Sequence, residues 1–434
     1  MFSKLLPFVV ALSLVGCGSN DTTIIHNKET NTTTQSSLTT PSKLPMLVVL
    51  VSYNNIKINY SEKQWSDRLF GTWNHQLNNY YKEVSASRFM FKPAKESYGT
   101  MNDGIISITL NYEHPDIEID DPHFYSKVYP EFREILEKLD KFVDFSDYDK
   151  DKNGALSNKE LIITFIIAGF EDAYEGYHVT NGIWAHQSCM VNADEIPILD
   201  TTKLLSCEYD GTFALFGEQH DVKDAHQATI GIIAHELAHA TFNIPDLYNT
   251  LTPDIGGIGL FGIMGAGTWT KSNIEEYAGE TPTHFSAWSK IYNGWITPQE
   301  IHYTKATLYE SSSINYNIIK IPINTTSYYL LENRNKSGYD KGLRGLDGVF
   351  DGGVAIWKID ETQLNTQKIL ENSVNTDNNH KGVDIVEAQS SGIDSGISQG
   401  DEDALYYEGN KNYFLDLVNN ISQRGEKMQL NILK

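Results

Sequence analysis

The chain has 434 residues, 40% of them apolar, so it can bury one large core or two ordinary ones. Its 57 acidic and 34 basic side chains give a formal charge of −23 with no cluster of Lys and Arg, which excludes a nucleic-acid partner bound through phosphates. Solubility explains the surplus of carboxylates.

In chain order, the first feature is MFSKLLPFVVALSLVGCGSN, with an early Lys4 and an apolar run from Leu5 to Val15. That run is too short to cross about 30 Å of hydrocarbon and reads as an export signal. Leu14-Val15-Gly16-Cys17 resembles the lipobox of bacterial lipoproteins. The resemblance implies a signal peptide over 1–17 and an acylated Cys17 that anchors an exported protein to a membrane. Gly18, where an Asp would retain the inner membrane, implies the outer membrane, at its periplasmic or cell-surface face, or later release to the medium. Ordinary signal cleavage beside a stray cysteine is the alternative. Residues 18–43, rich in Thr, Ser and Asn, cannot bury enough surface to fold and form a tether. The other two cysteines, Cys189 and Cys207, most simply form one disulfide in an exported chain.

The folded part starts at residue 44. Pro45–Tyr53 is a continuous β-branched run expected of a buried strand. Gln64–Phe70 and Asn74–Val84 have helical spacing, while Phe89–Phe91 and Gly104–Leu110 read as strands. Leu161–Gly169 predicts another buried strand, and Ala225–Phe242 an interior helix, because Ile230, Ile233, Ala234, Leu237 and Ala238 wrap most of its circumference. Beyond Glu300, the runs Ile314–Ile323, Ser327–Arg334, Gly352–Ile359 and Gly382–Ala388 alternate with Gly- and Asn-rich turns. Residues 44–299 therefore mix helix and strand, and 300–434 form a β-rich C-terminal subdomain.

Two motifs carry chemistry. Residues 235–239 read HELAH, and on a helix His235 and His239 lie one above the other and reach a single cation. Zn²⁺ on neutral imidazoles polarises a carbonyl and acidifies water, and Glu236, on the flank of the same face, is placed as catalytic base. Core or capping histidines are the plain alternative. The second motif is DKDKNGALSNKE, Asp149–Glu160, which fits the twelve-residue calcium loop of EF-hands. Asp149, Asp151, Asn153, the carbonyl of Ala155, Ser157 and Glu160 are its candidate Ca²⁺ ligands, with Gly154 at the sharp turn. A strand rather than a helix is expected after it, so the ion is read as structural, and a solvated acidic turn is the alternative.

The runs HELAHATFNIPDLYN (His235–Asn249), GIGLFGIMGAGTW (Gly257–Trp269) and TPTHFSAWSKIYNGW (Thr281–Trp295) resemble the immune inhibitor A family of secreted bacterial metallopeptidases. The likeness extends to PMLVVLVSY, Asn78–Phe91 and Asp144–Gly154 upstream, and to LLENR and GGVAIWKIDE downstream. It implies an α+β fold: a zincin- or metzincin-like catalytic domain over 44–299, with a twisted sheet and an active-site helix, then the β-rich part. Met264 would match the methionine turn beneath the metal. The departure comes after the helix. Metzincins place a glycine seven residues, and the third ligand ten residues, after the first histidine, where this chain has Phe242 and Pro245. Asp246 is the leading third ligand, with Glu275, Glu276 and Glu280 as rivals and a turn-capping role as the alternative.

His226 is expected on the same helix, out of phase with the motif; His178, His186, His220 and His284 are read as surface or hydrogen-bonding residues. Tyr248 is either packing or an oxyanion donor, and Glu332 with Arg334 an internal ion pair. Together these readings predict a zinc endopeptidase acting on proteins or peptides outside the cytoplasm. The competing readings are a surface lipoprotein that binds zinc and calcium without catalysis, and a hydrolase of cell-wall peptides.

Overall fold

The computed structural model describes residues 43–252, 257–344, 350–390, 392–394, 396–411 and 415–434. Cys17, the signal peptide and residues 18–42 of the tether lie outside them. Lys43, read as the end of the tether, is already the first residue of a strand.

That strand, β1 (Lys43–Ser52), leads through helices α1 (Glu62–Phe70) and α2 (Leu77–Val84) to β2 (Met90–Pro93) and β3 (Ile105–Thr109). α1 starts at a capping box in which Ser61 and Gln64 satisfy each other's backbone N–H. Helix α3 (Phe124–Leu139) precedes β4 (Ile162–Glu171) and the one-turn α4 (Asp172–Glu175). The short strands β5 (Gly182–Ile183), β6 (His186–Ser188), β7 (Ile198–Leu199) and β8 (Thr202–Lys203) come before β9 (Phe213–His220) and β10 (His226–Gln227).

β1 pairs in parallel with β2, β3 and β4, and β4 in parallel with β9 and β5, whereas β6 and β10 run antiparallel to β9. Strands covered on both faces need apolar residues on both, which is why β1 and β4 read as unbroken apolar runs. Met46, Val48 and Leu50 enter the core that holds α1, α2 and the helix α5 (Ile230–Phe242). Leu47, Val49 and Val51 enter a second core that holds α3. α3 has no counterpart among the sequence expectations; Pro130 and the run of Tyr and Glu residues obscure its period, and burial of Phe132, Ile135, Leu136 and Leu139 stabilises it.

A disulfide joins Cys189, directly after β6, to Cys207, as expected. Closing a loop of this size contributes about 3 kcal/mol in a chain-entropy account.

After α6 (Ala287–Tyr292), β11 (Gln299–Glu300) begins the β-rich part, followed by β12 (Lys305–Tyr309), β13 (Ile319–Pro322), β14 (Ser327–Arg334) and β15 (Gly353–Asp360). Helix α7 (Thr366–Leu370) and strands β16 (Val383–Ile385), β17 (Val418–Asn419) and β18 (Lys427–Ile432) complete it. Its five-stranded sheet runs β11-β13-β14-β15-β16. Leu330, Trp357 and Ile359 on one face join the core around α5, while Leu331, Ile356 and Ile319 on the other pack against the β12-β18-β17 sheet. The fold is α+β, and the C-terminal sheet shares its core with the helix that carries HELAH.

Candidate metal centre

α5 is buried on nearly every side. Gly231 is required there, because a Cβ would sit 2.0 Å from the carbonyl oxygen of Thr268. The helix starts at Ile230, five residues later than the apolar pattern suggests, since His226 and Gln227 belong to β10. His226 is thus not on the helix at all; its ring stacks on Tyr277 at 3.5 Å.

The helix ends at Asn243, a left-handed C-cap with φ of +54° whose N–H bonds to the His239 carbonyl at 3.0 Å. The helix is therefore one residue longer than the metzincin pattern allows. The left-handed residue stands at 243, one past the pattern's 242, and Asp246 stands one past its 245, with their mutual spacing kept.

Three atoms converge as a result. His239 Nε2 is 3.1 Å from His235 Nε2, and Asp246 Oδ1 is 3.1 Å from His235 Nε2 and 3.2 Å from His239 Nε2. Ligands about 2.0–2.1 Å from a tetrahedral ion are about 3.3 Å apart, so the set fits a small divalent cation. The Nδ1 of His235 meets the Ile263 carbonyl at 2.8 Å, and that of His239 meets the Ile244 carbonyl. A carbonyl only accepts, so each Nδ1 carries the proton and each Nε2 presents its lone pair to the centre. Asp246 Oδ1 is buried with no hydrogen-bond donor, which a metal would satisfy. Burial disfavours the Asp246 charge, yet His239 and His235 draw its pKa well below the usual carboxylate range.

Residues 124–296 match the family model of the immune inhibitor A peptidase M6 catalytic domain. That stretch is similar to the family's catalytic domain. Comparison with curated proteins gave no match. The matched stretch runs from α3 through α6, whereas the sequence resemblance reaches from β1 to β15.

Within the peptidase segment Glu236 is buried beside the cluster, its Oε1 4.0 Å from His235 Nε2. Burial pushes its carboxyl up to about 8, against the pull of His235 and the backbone N–H of Gln187. Gln187 belongs to β6, so the strand at the β9 side of the sheet looks onto the base. Tyr248 lies against the Asp246 carboxylate, and burial together with that charge holds its pKa well above the ordinary phenol value. Met264 lies buried under the site, its carbonyl accepting the Leu247 N–H at 2.7 Å.

The rival carboxylates are elsewhere. Glu276 accepts bonds from Ser272 and Thr281, and Glu280 lies 4.0 Å from His75. His284 pairs with Glu83 at 2.9 Å, His178 with Asp172 at 2.7 Å, and the Nδ1 of His186 with the Trp184 carbonyl at 2.8 Å.

In the acidic loop, Asp149, Asp151 and Glu160 bring carboxylate oxygens within 4.8 Å of one another. Gly154 turns the loop at φ of +81°, the N–H groups of Asn153 and Gly154 bond to Asp149, and Ser157 bonds to Glu160. The anchor Leu156 is buried, and its N–H reaches the Lys203 carbonyl at 2.9 Å. A strand, β4, follows directly, as the sequence suggests.

Sequence spacing gave no sign of Asn372, whose side chain contacts Asp246 from 126 positions away. The Thr268 hydroxyl, donating to the carbonyl of Ile263 at 2.7 Å, was equally silent.

Proposed function

We propose that the chain is a zinc endopeptidase acting on proteins or peptides outside the cytoplasm, with His235, His239 and Asp246 as metal ligands and Glu236 as the base. The observation that carries this reading is the convergence of two imidazole Nε2 atoms and one orphaned carboxylate oxygen beside a buried glutamate. Zn²⁺ bound there would polarise the scissile carbonyl and acidify water. Glu236 accepts the proton of the attacking water and returns it to the leaving amine, and a cation beside it favours the carboxylate form that this needs.

β6 supports a peptide substrate. Among the described residues it pairs only with β9, so its outer edge can take an extended chain as a further strand, and its Gln187 N–H already points towards Glu236. The backbone of such a strand would pass the base.

The loop Asp149–Glu160 is proposed to hold a structural Ca²⁺, and Cys17 to carry the lipid that tethers the enzyme to the outer membrane. The enzymatic reading is tested on the purified protein with casein and gelatin, with and without zinc chelation. Glu236→Ala is expected to lower kcat by several orders of magnitude while zinc stays stoichiometric. Undiminished cleavage by that variant, or zinc without turnover in the parent on any peptide, would refute it.

A further inference from the structure

The carboxylate of the cluster is held by a residue from the C-terminal part of the chain. Asn372 stands just past α7, with φ of +52°. Its Oδ1 accepts the backbone N–H of Asp246 at 2.7 Å, and its Nδ2 donates to Asp246 Oδ2 at 2.6 Å. Two bonds from one planar amide to the main chain and side chain of a single residue fix both the position of Asp246 and the rotation of its carboxylate. Oδ2 is thereby engaged, and Oδ1 alone is turned towards the two imidazoles.

The bracket is itself anchored. Thr250 Oγ1 donates to the Asn372 carbonyl at 3.1 Å, Asn375 Nδ2 to the Leu247 carbonyl at 2.9 Å, and Asn249 Nδ2 to the Thr376 carbonyl at 3.1 Å. The segment that follows the HELAH helix is thus fastened to residues 372–376, beyond the end of the matched peptidase stretch at 296.

We propose that Asn372 is a positioning residue for the metal centre: it holds Asp246 ready as a one-oxygen ligand, so the C-terminal part of the chain completes the third-ligand geometry. The inference rests on Asp246 being a ligand. A carboxylate already fixed loses little freedom when it binds a cation, and partners that orient metal ligands typically contribute 10- to 100-fold in affinity. Engagement of Oδ2 also keeps the carboxylate from chelating through both oxygens, which leaves room for water and substrate.

The test uses the full chain and direct metal binding. Zn²⁺ affinity is measured by competition with a chromogenic chelator, and ligand geometry by the visible spectrum of the Co²⁺-substituted protein. Asn372→Gly keeps the left-handed backbone without strain and removes only the amide. It is expected to weaken Zn²⁺ binding 10- to 100-fold and to alter the Co²⁺ spectrum, with the metal-free melting temperature close to that of the parent. Asn372→Asp, which keeps the acceptor for the Asp246 N–H but removes the donor to Oδ2, should behave likewise and serves if the glycine variant does not fold. Asn378→Ala, which removes one of the two acceptors of Asn249 Nδ2 without touching Asp246, should bind Zn²⁺ as the parent does. Parental affinity and spectrum in both Asn372 variants, while Asp246→Ala loses the metal, would overturn the inference and leave the ligand assignment standing. Parental affinity in Asp246→Ala would remove the assignment itself.

Discussion

Asn158 donates its Nδ2 to the carbonyl of Ala240 at 3.0 Å, joining the acidic loop to the last turn of the HELAH helix. The final carbonyls of a helix have no partner within it, so such donors satisfy them. Lys159 does the same for the Thr241 carbonyl at 3.2 Å, where a cation also suits the helix dipole.

Loop and helix should therefore be energetically coupled. Calcium-depleted protein is expected to melt several degrees lower and to bind Zn²⁺ several-fold more weakly than calcium-saturated protein. By linkage, Zn²⁺ must raise calcium affinity by the same factor. Asn158→Ala should reduce that mutual effect. Isothermal titration of each metal in the presence and absence of the other measures it, and equal Zn²⁺ affinities with and without calcium would exclude the coupling.

Tyr248 offers a second prediction. Its hydroxyl is buried against Asp246 and stays protonated at neutral pH, so it can donate to negative charge developing on a substrate oxygen. Tyr248→Phe is expected to lower kcat about 10- to 100-fold with KM and zinc content little changed. A variant with parental kcat would reduce the residue to packing.

What could be read from the residues alone follows from the range of the forces involved. β1 and β4 were legible because strands buried on both faces are apolar throughout, and the HELAH helix because its core faces surround it. Its start was misread, since His226 and Gln227 continue the local pattern but pair with β9 instead. The Asp246 register needed the left-handed Asn243, whose conformation no spacing rule reveals. Asn372 was invisible, because only tertiary folding brings a side chain 126 positions away onto the site.

Glu131 sets a pH dependence. Its carboxyl lies on the buried face of α3 and accepts the Tyr53 hydroxyl at 2.9 Å; burial raises its pKa to about 7, although the bond from Tyr53 lowers it. In the unfolded chain the group titrates near 4.5. The folded state therefore holds the proton longer, and the group's stabilisation is complete below pH 4.5 and lost as pH rises through about 7. At about 1.4 kcal/mol per unit the loss is on the order of 3 kcal/mol. Glu131→Gln keeps an acceptor for Tyr53 and cannot ionise, so it should be more stable than the parent at pH 8 and similar at pH 4.5. Urea unfolding across this range decides the matter; a parallel pH profile for the two proteins would contradict it.

The buried charges behind the site carry the last prediction. Arg334, fully buried on β14, forks onto Asp340, with Nε 2.6 Å from Oδ2, and donates through Nη1 to the Phe261 carbonyl at 2.6 Å. Phe261 lies two residues before Ile263, whose carbonyl orients His235. Lys290 and Glu332 form a second pair at 3.2 Å, and Glu332 also accepts the Trp357 indole N–H at 3.0 Å. Two cations and two anions thus balance in a region without water access, where losing one partner leaves an uncompensated charge. Arg334→Met should cost about 3–5 kcal/mol. Asp340→Asn, which keeps an acceptor for the His284 N–H, leaves the opposite imbalance and should cost a similar amount. The double variant restores neutrality, so its loss should fall well short of the sum of the two, with a coupling energy of about 2 kcal/mol or more in a double-mutant cycle read from urea unfolding. Additive losses would mean that the pair acts through packing, not through charge.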